Sequence, residues 1–122
     1  SISQAAAIEA LTGPQDSVEA MRVVYERRRD LVVGLLNKAP GIHCLTPDGA
    51  FYAWADCTPL CAKLGVKDSW EFAYALMERA HLAITPGRDF GTADTARFVR
   101  FSTANSMEQL QEAVRRMQRL FA

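Results

Sequence analysis

The chain has 122 residues, 49% of them apolar, and its 14 basic and 14 acidic side chains cancel to a formal charge of zero. That length can bury a hydrophobic core as one domain without metal or disulfide staples, and the balanced composition points to neither intrinsic disorder nor a nucleic acid partner. No apolar run has membrane-crossing length, no basic-then-apolar leader opens the chain, and the three cysteines cannot pair off completely, which together predict a cytoplasmic protein with reduced thiols and no membrane contact.

Ser1 to Leu11 reads as a helix, but its alanines, Ala5, Ala6, Ala7 and Ala10, bury little, so it is expected to pack on something outside this domain. Thr12-Gly13-Pro14 breaks it. Asp16 or Ser17 then caps a long helix whose apolar positions Val18, Met21, Val24, Tyr25, Leu31, Val32, Leu35 and Leu36 recur at helical spacing. Within that helix Arg27-Arg28-Arg29, flanked by Glu26 and Asp30, reads as a solvated face with local ion pairs. Pro40-Gly41 stops the helix.

Ile42 to Leu45 reads as a short strand, and Thr46-Pro47-Asp48-Gly49 as a turn in which proline presets the bend. Ala50 to Asp56 follows as a second strand. Alternation places Phe51, Ala53 and Ala55 on one face and Tyr52 and Trp54 on the other, the pattern of a sheet with helices on one side and a pocket or partner on the other. Cys57 to Lys67 is a loop or a short helical excursion. Cys57-x-x-x-Cys61 lacks the usual zinc or redox spacing, and His43 and Cys44 turn to opposite faces, so no metal site is expected.

Asp68-Ser69-Trp70-Glu71 has the form of a capping box opening a helix with Phe72, Ala73, Leu76, Met77 and Ala80 inward. Leu82 to Thr85 and Arg97 to Thr103 read as strands joined by a glycine-rich loop. A last helix from about Ser106, capped by Asn105 or Ser106, carries the stripe Leu110, Ala113, Val114, Met117, Leu120 and Phe121. The order of elements predicts one α+β domain over residues 1–122, a small and mainly antiparallel sheet covered by helices.

Arg100 is the residue with chemistry to explain. Val99 and Phe101 point to the core face, so Arg100 projects the other way, and a guanidinium held in an apolar strand requires an anion. A bidentate grip on a small carboxylate suits its planar fork of donors. The competing reading is an edge-strand arginine paired with Asp89 or Asp94. Arg97 shares a similar alternation but starts the strand and is expected at the surface. Pro86-Gly87-Arg88-Asp89-Phe90-Gly91 is either a plain turn or a loop edging a pocket. Its glycine spacing is not that of a phosphate loop.

Taken in order, Gly49-Ala50-Phe51-Tyr52, the Pro-Gly-x-x-Phe-Gly loop and Val99-Arg100-Phe101-Ser102-Thr103-Ala104 resemble the C-terminal small domain of class I aminotransferases. These are the fold-type-I, pyridoxal phosphate (PLP) enzymes of the aspartate aminotransferase superfamily. The resemblance runs from Ser1 to Ala122 and implies that Arg100 receives the α-carboxylate of an amino acid or 2-oxo acid substrate. It also implies that Gly49 and Phe51 lie on a segment edging the active site, although Phe51 is equally well read as core.

The lysine that forms the Schiff base in such enzymes is not here. Lys38, Lys63 and Lys67 lack its sequence setting, so the resemblance implies no catalytic residue and no covalent PLP attachment in this chain. It further implies a fragment, inactive alone, belonging to a usually homodimeric parent whose large domain covers residues 1–13. A PLP-dependent lyase or synthase of the same fold, the aminotransferase-like effector domain of a PLP-responsive transcription regulator, and a free-standing ligand-binding domain are the alternatives.

Overall fold

The computed structural model describes all 122 residues. Helices α1 (Ile2–Thr12) and α2 (Asp16–Lys38) come first, then strands β1 (His43–Cys44) and β2 (Tyr52–Asp56). Helices α3 (Thr58–Leu64) and α4 (Ser69–Ala80) follow. Strand β3 (Thr85–Pro86), two short 3-10 turns (Gly87–Phe90 and Thr95–Arg97), strand β4 (Phe98–Ser102) and helix α5 (Met107–Phe121) complete the chain. The four strands form one antiparallel sheet in the order β1-β2-β4-β3. This is the expected α+β architecture. No helix is long and apolar enough to cross a membrane.

The core lies between one face of the sheet and helices α2, α4 and α5. Ala53, Ala55 and Val99 are fully buried, and their small side chains let Leu36, Phe72, Leu76 and Met117 approach the sheet closely. Phe72 of α4 stacks on Phe121 of α5 with centroids 6.2 Å apart. The opposite face carries Tyr52, Trp54, Asp56, Phe98 and Arg100, all only partly buried. Strand β3 is an edge, which is where Pro86, lacking a backbone N–H, can be tolerated.

Local signals placed several helix ends well. The Asp68 carboxylate accepts from the backbone N–H groups of Trp70 and Glu71 at 3.0 and 3.1 Å, and the Ser106 hydroxyl accepts from Gln109 N at 3.3 Å. The capping box is displaced by one residue, since Glu71 accepts from Lys67 N rather than from Asp68. The stretch after Cys57 is helical and ends at Gly65 in the left-handed region, φ 70°.

Four expectations are corrected. Gln15, without a side-chain bond, occupies the cap position of α2, and Asp16 is already helical. Val18, Met21 and Val24 are exposed because the buried part of α2 begins only near Val32. Met77 is 48% exposed, lying at the rim of the arc that Phe72, Leu76 and Ala80 bury. Leu82 to Ile84 pair with no strand, so the predicted strand shrinks to Thr85–Pro86. Helix α1 buries none of its residues, and Ile2, Ile8 and Leu11 are all exposed.

Candidate functional site

Strand β4 is an inner strand, with Arg100 opposite Trp54 of β2 on one side and Thr85 of β3 on the other. Val99 is fully buried beneath it and Phe101 packs against the core, so Arg100 stands on the outer face. Its guanidinium lies 4.1 Å over the Tyr52 ring and 4.6 Å over the Phe90 ring. Ring contacts use the flat faces of a guanidinium and leave its in-plane N–H edges available for a carboxylate.

No carboxylate of the chain takes those edges. The Nη2 group of Arg100 reaches only the Thr85 hydroxyl, at 3.4 Å, and Nε is buried without a partner. The competing reading, a pair with Asp89 or Asp94 on an edge strand, is overturned on both counts. Arg100 is on an inner strand, and Asp94 pairs with Arg97 at 2.8 Å. Arg97 also pairs with Asp56 and lies over the Phe98 ring, so the internal competitor has its charge balanced already.

Asp56 is the ionised partner in that cluster. Burial opposes its ionisation, but the Thr58 hydroxyl and backbone N–H, at 2.7 and 2.9 Å, and the Arg97 guanidinium outweigh it and hold the carboxyl below its ordinary value. A carboxyl depressed in the fold adds stability above its unfolded value of about 3.9, and that contribution is lost as pH falls through the folded value. Asp56→Asn is therefore expected to lower stability near neutrality and to flatten the acid limb of the stability curve. Urea midpoints followed from about pH 7 to about pH 2 test this, and an acid limb as steep as in the parent protein would contradict it.

The loop carrying Phe90 is tightly seated. A Cβ on Gly87 would lie 2.2 Å from the Thr95 carbonyl oxygen, 2.7 Å from that of Phe98 and 3.1 Å from the Trp54 ring. Trp54 stacks on Phe98 at 5.4 Å and meets the edge of Phe90 at 5.6 Å. Arg100 thus sits beside a wall of interlocked aromatic rings that lowers the local dielectric and strengthens any charge pair formed there.

Phe51 lies one ring away from Arg100, through Tyr52. Phe51 packs on Tyr25 of α2 at 5.6 Å and on Tyr52 at 4.6 Å. It is 37% exposed, so the core reading is overturned: regular pairing of β2 starts at Tyr52, and Ala50 is in the left-handed region, φ 62°. The Phe51 carbonyl accepts from Thr103 N at 2.8 Å, which ties this segment to the end of β4. Gly49 has open space around it and lines, with Tyr25, Arg29 and Phe51, a groove of about 360 Å³. Arg29 is not a fully solvated residue: it pairs with Asp30 and donates to the Pro47 carbonyl at 3.3 Å, bracing the same turn. Arg28 has a buried Nε with no partner.

The lysines stand elsewhere. Lys63 donates from Nζ to the Phe121 carbonyl at the end of α5, and Lys38 and Lys67 are exposed at or next to helix ends. No cluster of His, Cys, Asp and Glu side chains could hold a metal ion. A mainly apolar cavity of about 310 Å³ between α2, α5 and residues 81–84 does not include Arg100. Sequence reasoning missed Thr85 and Phe90 as neighbours of Arg100. Alternation in β2 had already turned Tyr52 to the correct face, but no period reports where a loop folds back.

The family described as aminotransferase class I and II matches residues 1–117. The aspartate aminotransferase of Rhizobium meliloti (strain 1021) is 41% identical over 122 residues, covering 96% of this chain and 29% of that protein. The crystal structure of the aspartate aminotransferase from Rhizobium meliloti superposes with a TM-score of 0.86 at 40% identity, over 97% of this chain and 30% of that one. The alanine aminotransferase from Pyrococcus furiosus gives a TM-score of 0.85 at 32% identity, over 94% of this chain and 28% of that one. The chain spans about three tenths of the length of the curated relatives it matches.

Proposed function

The chain belongs to the class I and II aminotransferases, and from that premise we propose that it is the C-terminal, substrate-closing part of a PLP-dependent aminotransferase in which Arg100 receives the α-carboxylate of the amino acid or 2-oxo acid. The observation that carries the reading is an arginine on an inner strand, against two aromatic rings, with no carboxylate of its own. Two in-plane hydrogen bonds from such a group fix both the position and the rotation of a carboxylate, a positioning contribution to transfer at the adjacent carbon.

Pyridoxal phosphate is implied by the family as the cofactor of the parent, where it supplies an electron sink for chemistry at the α-carbon. The residues of this chain do not fit covalent attachment of it, because no lysine stands near Arg100, and no catalytic step is assigned to them. Gly49 and Phe51 border the substrate side of the grip through Tyr52. Residues 1–13 pack on the remainder of the same polypeptide, consistent with an α1 that buries nothing here. The parent is a cytoplasmic homodimer. Its relatives named for aspartate and for alanine act on amino acids that share the α-carboxylate, the one group Arg100 would read.

The test compares the whole-length protein with residues 1–122 alone. The former is expected to exchange amino groups between an amino acid and a 2-oxo acid, and the latter to show no turnover. A borohydride-reducible PLP adduct at one specific lysine of the isolated chain, with turnover, would refute the assignment.

A further inference from the structure

We propose that Arg88 and Trp70 form a clasp that holds the Gly87–Phe90 turn against helix α4, making both of them positioning residues for the carboxylate grip; this rests on the role of Arg100 proposed above. The Arg88 guanidinium carbon lies 3.5 Å from the centre of the Trp70 ring, nearer than in the chain's other arginine–ring contacts, which range from 4.1 to 5.5 Å. Neither Arg88 nor its neighbour Asp89 makes a salt bridge, so the Arg88 guanidinium rests on the neutral Trp70 ring and not on a carboxylate.

Trp70 is a rigid post. Its backbone N–H is held by the Asp68 cap at 3.0 Å, its ring lies 5.1 Å from Tyr74 one turn on, and Phe72 and Leu76 anchor the same helix in the core. The turn it grips is short. Gly87 is wedged at one end against the Thr95 and Phe98 carbonyls, and Phe90 at the other end covers Arg100. Arg88 lies between them. Fixing Arg88 against α4 restricts rotation of the turn about Gly87, the motion that would carry the Phe90 ring away from the guanidinium.

A stack between the half-buried Trp70 and the exposed Arg88 is modest, so the expected effect is a rise in KM of roughly fivefold and not an abolition of activity. In the whole-length protein, with 2-oxoglutarate as the carboxylate probe, Arg88→Ala and Trp70→Leu should each raise KM by about that factor while kcat changes less. The double variant should be no worse than either single one, Arg88→Lys should recover part of the loss, and amide exchange across residues 87–91 should quicken. Additive effects in the double variant, unchanged exchange, or a lowered melting temperature with KM untouched would overturn the clasp. Arg100→Lys, assayed beside them, separates the two ideas. An unchanged KM there would overturn the grip and this purpose of the clasp, whereas a large rise in KM there with Arg88→Ala silent would overturn the clasp alone.

Discussion

Replacing Arg100 by lysine in the whole-length protein is expected to lower kcat/KM for an amino acid substrate by about a hundredfold, equivalent to about 3 kcal/mol, the scale of losing a desolvated charge-assisted pair. Lysine keeps the charge but not the planar fork, and an ammonium cannot place two parallel hydrogen bonds on one carboxylate. It also loses the flat faces that lie against Tyr52 and Phe90, so the head group would be less fixed in direction. Cofactor attachment should be unchanged, because no residue of this site holds the cofactor covalently. The control is an amine substrate without a carboxylate, whose reaction should be affected far less. Equal losses for the two substrates would remove Arg100 from carboxylate recognition.

Gly87→Ala is expected to cost about 3 kcal/mol of stability and to weaken carboxylate binding at the same time. The new Cβ meets two backbone carbonyl oxygens, at 2.2 and 2.7 Å, and neither is the end of a flexible side chain that could swing aside. Relief requires the turn to move off Thr95 and Phe98, and Phe90 moves with it. Gly49→Ala is the internal comparison. Nothing lies within 4 Å of a Cβ there, so its stability should change by no more than about 0.5 kcal/mol. Denaturant midpoints for both variants decide the matter, and a Gly87→Ala protein as stable as Gly49→Ala would mean that the turn is not held against β4.

These two positions differ in how visible they were beforehand. Arg100 stood out in the sequence because a permanent charge in a run of Val and Phe is costly and local alternation assigns it a face. The importance of Gly87 depends on carbonyls eight and eleven residues further along, and nothing in Pro86-Gly87-Arg88 encodes that approach. The errors have the same origin. Val18, Met21, Val24 and Met77 carry the helical spacing of buried residues, but spacing reports a face and not whether another element covers it. Phe51 carries the strand alternation of Ala53 and Ala55, and the left-handed Ala50 beside it takes it out of the ladder and onto Tyr25.

The sequence by itself determined the features that rest on local physics: the helix breaks at Gly13-Pro14 and Pro40-Gly41, the cap at Asp68, the small residues on the buried side of β2, and the turning of Arg100 away from the core. Those follow from dihedral preference, hydrogen bonding over a few residues, and periods of 3.6 and 2. Only the tertiary structure decided that β4 lies inside the sheet, that Asp56 is engaged by Arg97, that Phe90 covers Arg100 and that Trp70 meets Arg88. Each of these depends on how separate elements or loops pack in space, and no local preference or period carries that information.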